Sequence, residues 1–224
     1  MMLDFKFLVF VLIAISINTY SQVYESIEKS ATEYFISLSN KDSEVDSDLS
    51  KLKEILFTNY DKTELEIKYQ TSINDYDSLK NHFNEYEPTI KNISKDSAFV
   101  LFNQWYLHFS NTFYNYADEK FLSSNKTKIL FFSASMSCQC TLEMCKKQTI
   151  EILNLAREKN MDYWIIDSYE HNDLQIKYET FFAPSLIVFD SHNNVLYKIE
   201  YDEKMIEKLA YYLDKNIHEN SLRN

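Results

Sequence analysis

Apolar residues recur at intervals of three and four from Val23 to Ser39, where Tyr24, Ile27, Ala31, Tyr34, Phe35 and Leu38 share one face and predict an amphipathic helix. The polar, acidic stretch Asn40 to Ser50 reads as a loop, and the helical pattern resumes from Leu49 to Tyr60. Residues 61–72 are ambiguous, because Leu65, Ile67 and Tyr69 alternate as a strand would over only a short run. A helix from Asn74 to Tyr86 is expected to stop ahead of Pro88, since proline disfavours helical backbone in the residue before it. Asp96 can cap a longer helix through Phe121, whose stripe of Phe99, Phe102, Trp105, Tyr106, Phe109, Phe113 and Tyr116 suits core packing better than a ligand site. Residues 22–122 therefore read as a mostly α-helical module, and Ser123 to Thr127 as a linker.

Beyond the linker the pattern alternates between strand and helix. Lys128 to Ala134 reads as a buried strand, Cys138 to Asn160 as a helix, Tyr163 to Ser168 as a strand and His171 to Thr180 as a helical stretch. Ser185 to Asp190 and Val195 to Tyr201 pair across a turn in which Asn193 or Asn194 supplies positive φ. Asp202 caps a last helix through about Asn216. The order is βαβαββα, an α/β fold over residues 123–224.

Composition narrows the setting. Residues 1–21 carry Lys6, an apolar run from Phe7 to Ile17 and small residues at Thr19 and Ser21, the layout of a secretory signal peptide cleaved before Gln22. The mature protein is expected to be exported, to the periplasm or the medium in a bacterium; a membrane enters only if that segment stays uncleaved. The formal charge is −11, and Asp4 and Lys6 of the leader cancel, so the mature chain is equally acidic and ill suited to nucleic acid. The chain has no glycine, which excludes glycine-dependent phosphate loops and nucleophile elbows and leaves tight turns to Asn and Asp.

All three cysteines, Cys138, Cys140 and Cys145, fall in one strand–turn–helix segment, IleLeuPhePhe followed by a serine-rich turn. A thiol at a helix start is biased toward thiolate, because unpaired N–H groups and the helix dipole stabilise the anion. An odd, clustered set is a site rather than a stapling framework. Cys140 and Cys145 are separated by about 7.5 Å of helix rise, beyond easy bridging. Cys138 can pair with Cys140 only through a small, strained ring. Thr141 can cap the helix or bond the Cys138 sulfur, capping being the plainer role.

This arrangement resembles the thioredoxin-like superfamily over residues 124–217. The segment from Ile129 to Cys138 has the family's strand, loop and nucleophilic cysteine, and Ala183–Pro184 opens the third strand where the family carries its substrate-side cis-proline. The resemblance implies thiol–disulfide exchange on protein thiols or disulfides, with Cys138 and Cys140 catalytic, Ala183 and Pro184 substrate-binding, and no cofactor. The motif departs from the family's CxxC: Thr141 stands where the second thiol is usual, the second thiol is Cys140, Ser137 replaces the preceding aromatic, and Phe132 replaces a buried acid. The alternatives are a non-catalytic binding module, or Cu(I) or Zn(II) handling through Cys138, Cys140 and Cys145 with His171 as a fourth ligand. The remaining histidines, His82, His108, His192 and His218, lack ligand spacing.

Overall fold

The structure, a computed structural model, describes residues 22–41 and 43–221, so the expected signal segment lies outside the described residues. The N-terminal part consists of α1 (Val23–Asn40), α2 (Val45–Leu56), α3 (Lys62–Lys68), α4 (Ile73–Ile90), α5 (Lys95–Thr112) and α6 (Tyr114–Ser123). The C-terminal part runs β1 (Lys128–Ser133), α7 (Gln139–Glu158), β2 (Asp162–Asp167), α8 (Asn172–Tyr178), β3 (Ser185–Phe189), β4 (Val195–Glu200) and α9 (Met205–Ser221). Among the described residues no helix is long and apolar enough to cross a membrane.

Several helix boundaries differ from those the residue pattern predicts, each for a local reason. Residues 62–68, ambiguous in the residue pattern, are helical, because Asp61 accepts the Thr63 N–H as an N-cap and only Leu65 needs burial. The helix α4 continues through Pro88 into its last turn, where the exposed surface lets water serve the carbonyl that the proline leaves without a partner. The cap of α5 is Ser94, whose hydroxyl accepts the Ser97 N–H, and the helix breaks at Phe113 rather than reaching Phe121 unbroken. The helix α2 begins at Val45, inside the expected loop, and α9 extends to Ser221.

The aromatic stripe of α5 fills the centre of the helical part. Phe102 is fully buried, with its ring 4.6 Å from Tyr34, 4.7 Å from Phe35 and 5.3 Å from Trp105. One continuous apolar core joins these side chains to Leu130, Phe131, Ile165 and Val188 of the sheet.

The sheet order is β2-β1-β3-β4, with β1 and β2 parallel and the β1–β3 and β3–β4 pairs antiparallel. Every residue of β1 is buried, as suits a central strand covered on both faces. Its first residue, Lys128, keeps its ammonium satisfied on the Leu122 and Ser124 carbonyls at the end of α6, at 3.3 and 3.0 Å. The β2 edge is closed by the helical part: the Ser110 hydroxyl of α5 donates to the Ile165 carbonyl at 2.7 Å, and Thr32 of α1 meets the Tyr163 hydroxyl at 3.0 Å. An open sheet edge is a pairing hazard, and these contacts place helices against that edge. In the β3–β4 turn Asn193 adopts φ 65°, held by Asp190, which accepts the Asn194 N–H at 2.8 Å.

Candidate functional site

The turn after β1 brings the thiols to the carboxyl end of the parallel strands, where a strand feeds a helix N-terminus. Cys138 is the N-cap residue of α7, with extended backbone at φ −64°, ψ 154°, and its carbonyl accepts the first helical bond from the Leu142 N–H at 3.1 Å. Because Cys138 stands just outside the helix while Cys140 lies in its first turn, the two sulfurs turn toward one another and sit 2.8 Å apart, both exposed. Thr141 is therefore not the cap; its hydroxyl lies 3.2 Å from the Cys138 sulfur.

These contacts stabilise a thiolate at Cys138. Its pKa is lowered to about 6, first by the hydrogen bond from the Cys140 thiol and then by those from the Thr141 side chain and backbone. Cys145 is the opposite case: it faces the core beneath the end of β1, and burial pushes its thiol up to about 11. The metal set considered from sequence does not assemble. Cys145 points inward, and His171 is occupied elsewhere, with its Nε2 3.0 Å from Asn111 Oδ1 and its ring stacked 4.1 Å from that of Tyr114. Among the described residues no three His, Cys, Asp or Glu side chains come together as a metal site.

Opposite the thiols lies the segment leading into β3. The Ala183–Pro184 peptide is cis, and the Pro184 carbonyl accepts the Tyr201 N–H at 2.8 Å. Just before it, the Phe181 and Phe182 N–H groups both donate to Glu200 Oε1, the latter at 2.7 Å. With its backbone so pinned, the segment exposes Phe181 and Phe182 at 68% and 62%, and with Met136 and Tyr201 they rim a groove of about 620 Å³ that reaches Ser137 and Thr141. Exposed aromatics gathered around a groove are the usual mark of a surface that meets a partner.

Three features of this region are not legible in the local pattern. Asp167, buried at the end of β2, accepts the Ser135 N–H at 3.3 Å and the Tyr169 N–H at 3.0 Å and so ties down the thiol-bearing turn. Its signal was a carboxylate ending an apolar strand. Tyr201 reads as a strand residue but stands beyond β4 at φ 46°. The rings of His82 on α4 and His108 on α5, far apart in sequence, meet at 4.3 Å in a second cleft of about 480 Å³ that Trp105, Ser135 and Asp167 also line. Burial, with His82 adding to it, holds His108 below the usual imidazole range.

No family model matches the chain, and no curated protein matches its sequence. Solved structures do resemble it. Thioredoxin 1 from the thermophilic eubacterium Thermosipho africanus is 20% identical, with 40% of this chain and 97% of that one covered and a TM-score of 0.33. The germline-specific thioredoxin Deadhead of Drosophila melanogaster is 22% identical over 46% of this chain and 90% of its own, with a TM-score of 0.37. A thioredoxin from Trypanosoma brucei brucei is 14% identical over 45% and 83%, with a TM-score of 0.34. The strand order β2-β1-β3-β4, with the parallel β1–β2 pair joined through α7 and β3 and β4 antiparallel, gives the C-terminal part a thioredoxin-like fold. A mostly helical part precedes it.

Proposed function

We propose that this protein carries out thiol–disulfide exchange on the cysteines of other polypeptides, outside the cytosol. The observation that carries the reading is the exposed Cys138 sulfur, 2.8 Å from Cys140 at a helix start and held as a thiolate near neutral pH. In the reductive direction the Cys138 thiolate attacks one sulfur of a substrate disulfide. A Cys138–substrate bond forms, the substrate S–S bond breaks, and the second substrate sulfur leaves with the electron pair and takes a proton from water. Cys140, losing its proton to solvent, then attacks the Cys138 sulfur, forming Cys138–Cys140 and releasing the other substrate thiolate. The substrate gains two electrons and the protein loses two.

The reverse sequence introduces a disulfide into a substrate dithiol. The ring closed by residues two apart is small and strained, and strained disulfides are easily reduced, which favours this oxidising direction. Ala183 and Pro184 present backbone to the bound substrate strand, and the aromatic rim accepts its apolar side chains. The helical part contributes one wall of the cleft beside Ser135 and so positions the partner.

The test is capture. A Cys140→Ala variant incubated with a disulfide-bearing polypeptide should accumulate a mixed disulfide through Cys138, read by intact mass and peptide mapping. A variant that captures nothing, while wild-type protein shows no insulin reduction or dithiol oxidation, would overturn the reading.

A further inference from the structure

Six residues among those described have positive φ in a chain that contains no glycine: Lys41, Gln70, Asn160, Glu179, Asn193 and Tyr201. Five have a local task. Lys41, Gln70, Asn160 and Glu179 lie at or just beyond helix C-termini, where a left-handed residue ends the helix, and Asn193 closes the β3–β4 turn. Tyr201 ends no helix and closes no hairpin, and a bulky side chain in this region is disfavoured unless its surroundings hold it there.

What holds it is a set of contacts that all lead to the thiol site. Its N–H donates to the Pro184 carbonyl at 2.8 Å, its ring lies 6.3 Å from that of Phe182, and its hydroxyl is 3.3 Å from Thr141 Oγ1. Thr141 Oγ1 is in turn 3.2 Å from the Cys138 sulfur. Threonine has a single hydroxyl proton. If that proton points at Tyr201, the sulfur receives nothing from this hydroxyl. A phenol donating to the threonine oxygen leaves the threonine proton free to point at the sulfur, and a thiolate, which only accepts, orients the chain the same way.

We infer that Tyr201 is a positioning residue for the exchange reaction, donating to Thr141 so that the Thr141 hydroxyl donates to the Cys138 thiolate. The left-handed backbone turn at the end of β4 is what lets one residue bond the Pro184 carbonyl through its N–H and Thr141 through its side chain. The inference rests on the proposed exchange chemistry at Cys138.

The experiment is the pH profile of Cys138 alkylation in full-length reduced protein, with Cys140→Ser as background so that one exposed thiol reports. Tyr201→Phe removes one oxygen and keeps the ring and the N–H. It is expected to slow alkylation on the acid side of the profile by about threefold, the scale of one exposed hydrogen bond, and to shift the midpoint upward. Thr141→Val should have at least as large an effect, Thr141→Ser should behave like the parent, and Tyr201→Phe should add nothing on top of Thr141→Val. Far-ultraviolet circular dichroism of each variant checks that the fold is intact.

An acidic midpoint that Tyr201→Phe leaves unmoved, or a Tyr201→Phe effect that persists undiminished in the Thr141→Val background, overturns the inference while leaving the exchange reading in place. A parent protein whose midpoint sits at an ordinary thiol value, together with no exchange activity in wild type, overturns both.

Discussion

Cys138 and Cys140 face each other with their sulfurs 2.8 Å apart because one lies just outside the α7 helix and the other in its first turn. The geometry makes Cys140 both the nearest thiol for resolving a mixed disulfide and the leading hydrogen-bond donor to the Cys138 thiolate. Cys140→Ala should therefore do more than block resolution. The Cys138 thiol should rise from about 6 toward the ordinary value of about 8.5, cutting alkylation at pH 7 by about five- to tenfold. Stopped-flow alkylation against pH checks this, and an unchanged midpoint would show that the Thr141 side chain and backbone suffice without Cys140.

Cys145 gives a stability prediction with a definite sign. Its folded pKa is raised to about 11 by burial, above the roughly 8.5 of an unfolded thiol, so the neutral form is favoured in the native state. Its contribution is complete below about pH 8.5 and is lost as pH rises through the folded value, since the unfolded chain ionises first. Between pH 7.5 and 9.5 wild type should lose about 1 kcal/mol more than Cys145→Ala, read from urea midpoints. Equal losses would mean that the thiol is hydrated. In the native protein only Cys138 and Cys140 should react with a thiol reagent at neutral pH.

Glu200 bears on substrate binding rather than on the thiol. Its carboxylate takes the N–H groups of both Phe181 and Phe182, so Glu200→Ala frees the segment that displays the aromatic rim. With an apolar peptide disulfide, KM should rise about fivefold, the scale of one ordinary solvent-exposed hydrogen bond, while the Cys138 pKa stays where it is. A fall in kcat with constant KM would place Glu200 in the chemistry instead.

How much of this could be read from the residues depends on how local the cause was. The strand–turn–helix delivery of Cys138, the βαβαββα order and Pro184 opening β3 were all legible, because each rests on patterns within a dozen residues. Helix ends were less so. Pro88 is tolerated within α4 because it falls in an exposed last turn, and residues 62–68 fold as helix because Asp61 caps them, both outcomes of competition between weak local terms. The site's supporting residues were hidden altogether. Asp167 and Glu200 end strands that look ordinary and Tyr201 directly follows one, and their roles arise only when the β2 and β4 ends meet the β1–α7 turn and the segment before Pro184. The His82–His108 contact is invisible for the same reason, since it depends on how α4 and α5 pack.

The continuity of the core across the two parts leads to the last prediction. Phe102 sits among Tyr34, Phe35 and Trp105 in the helical part, yet that part closes the β2 edge through Ser110 and shares one apolar core with the sheet. Phe102→Ala leaves a cavity where a buried ring was and should cost about 3–5 kcal/mol. If the shared core couples the parts, that loss should be felt equally by probes in each. The two tryptophans allow the comparison, since Trp105 lies on α5 and Trp164 on β2 against Tyr114 and Phe121. In a Trp105→Phe background, Trp164 fluorescence should still show the Phe102→Ala urea midpoint falling by about 1–2 M, with one transition and an unchanged slope. A Trp164 transition that stays put while helical circular dichroism is lost early would mean that the thioredoxin-like part folds without its helical partner. The Ser110–Ile165 edge contact would then be a docking contact between independent units rather than part of one cooperative fold.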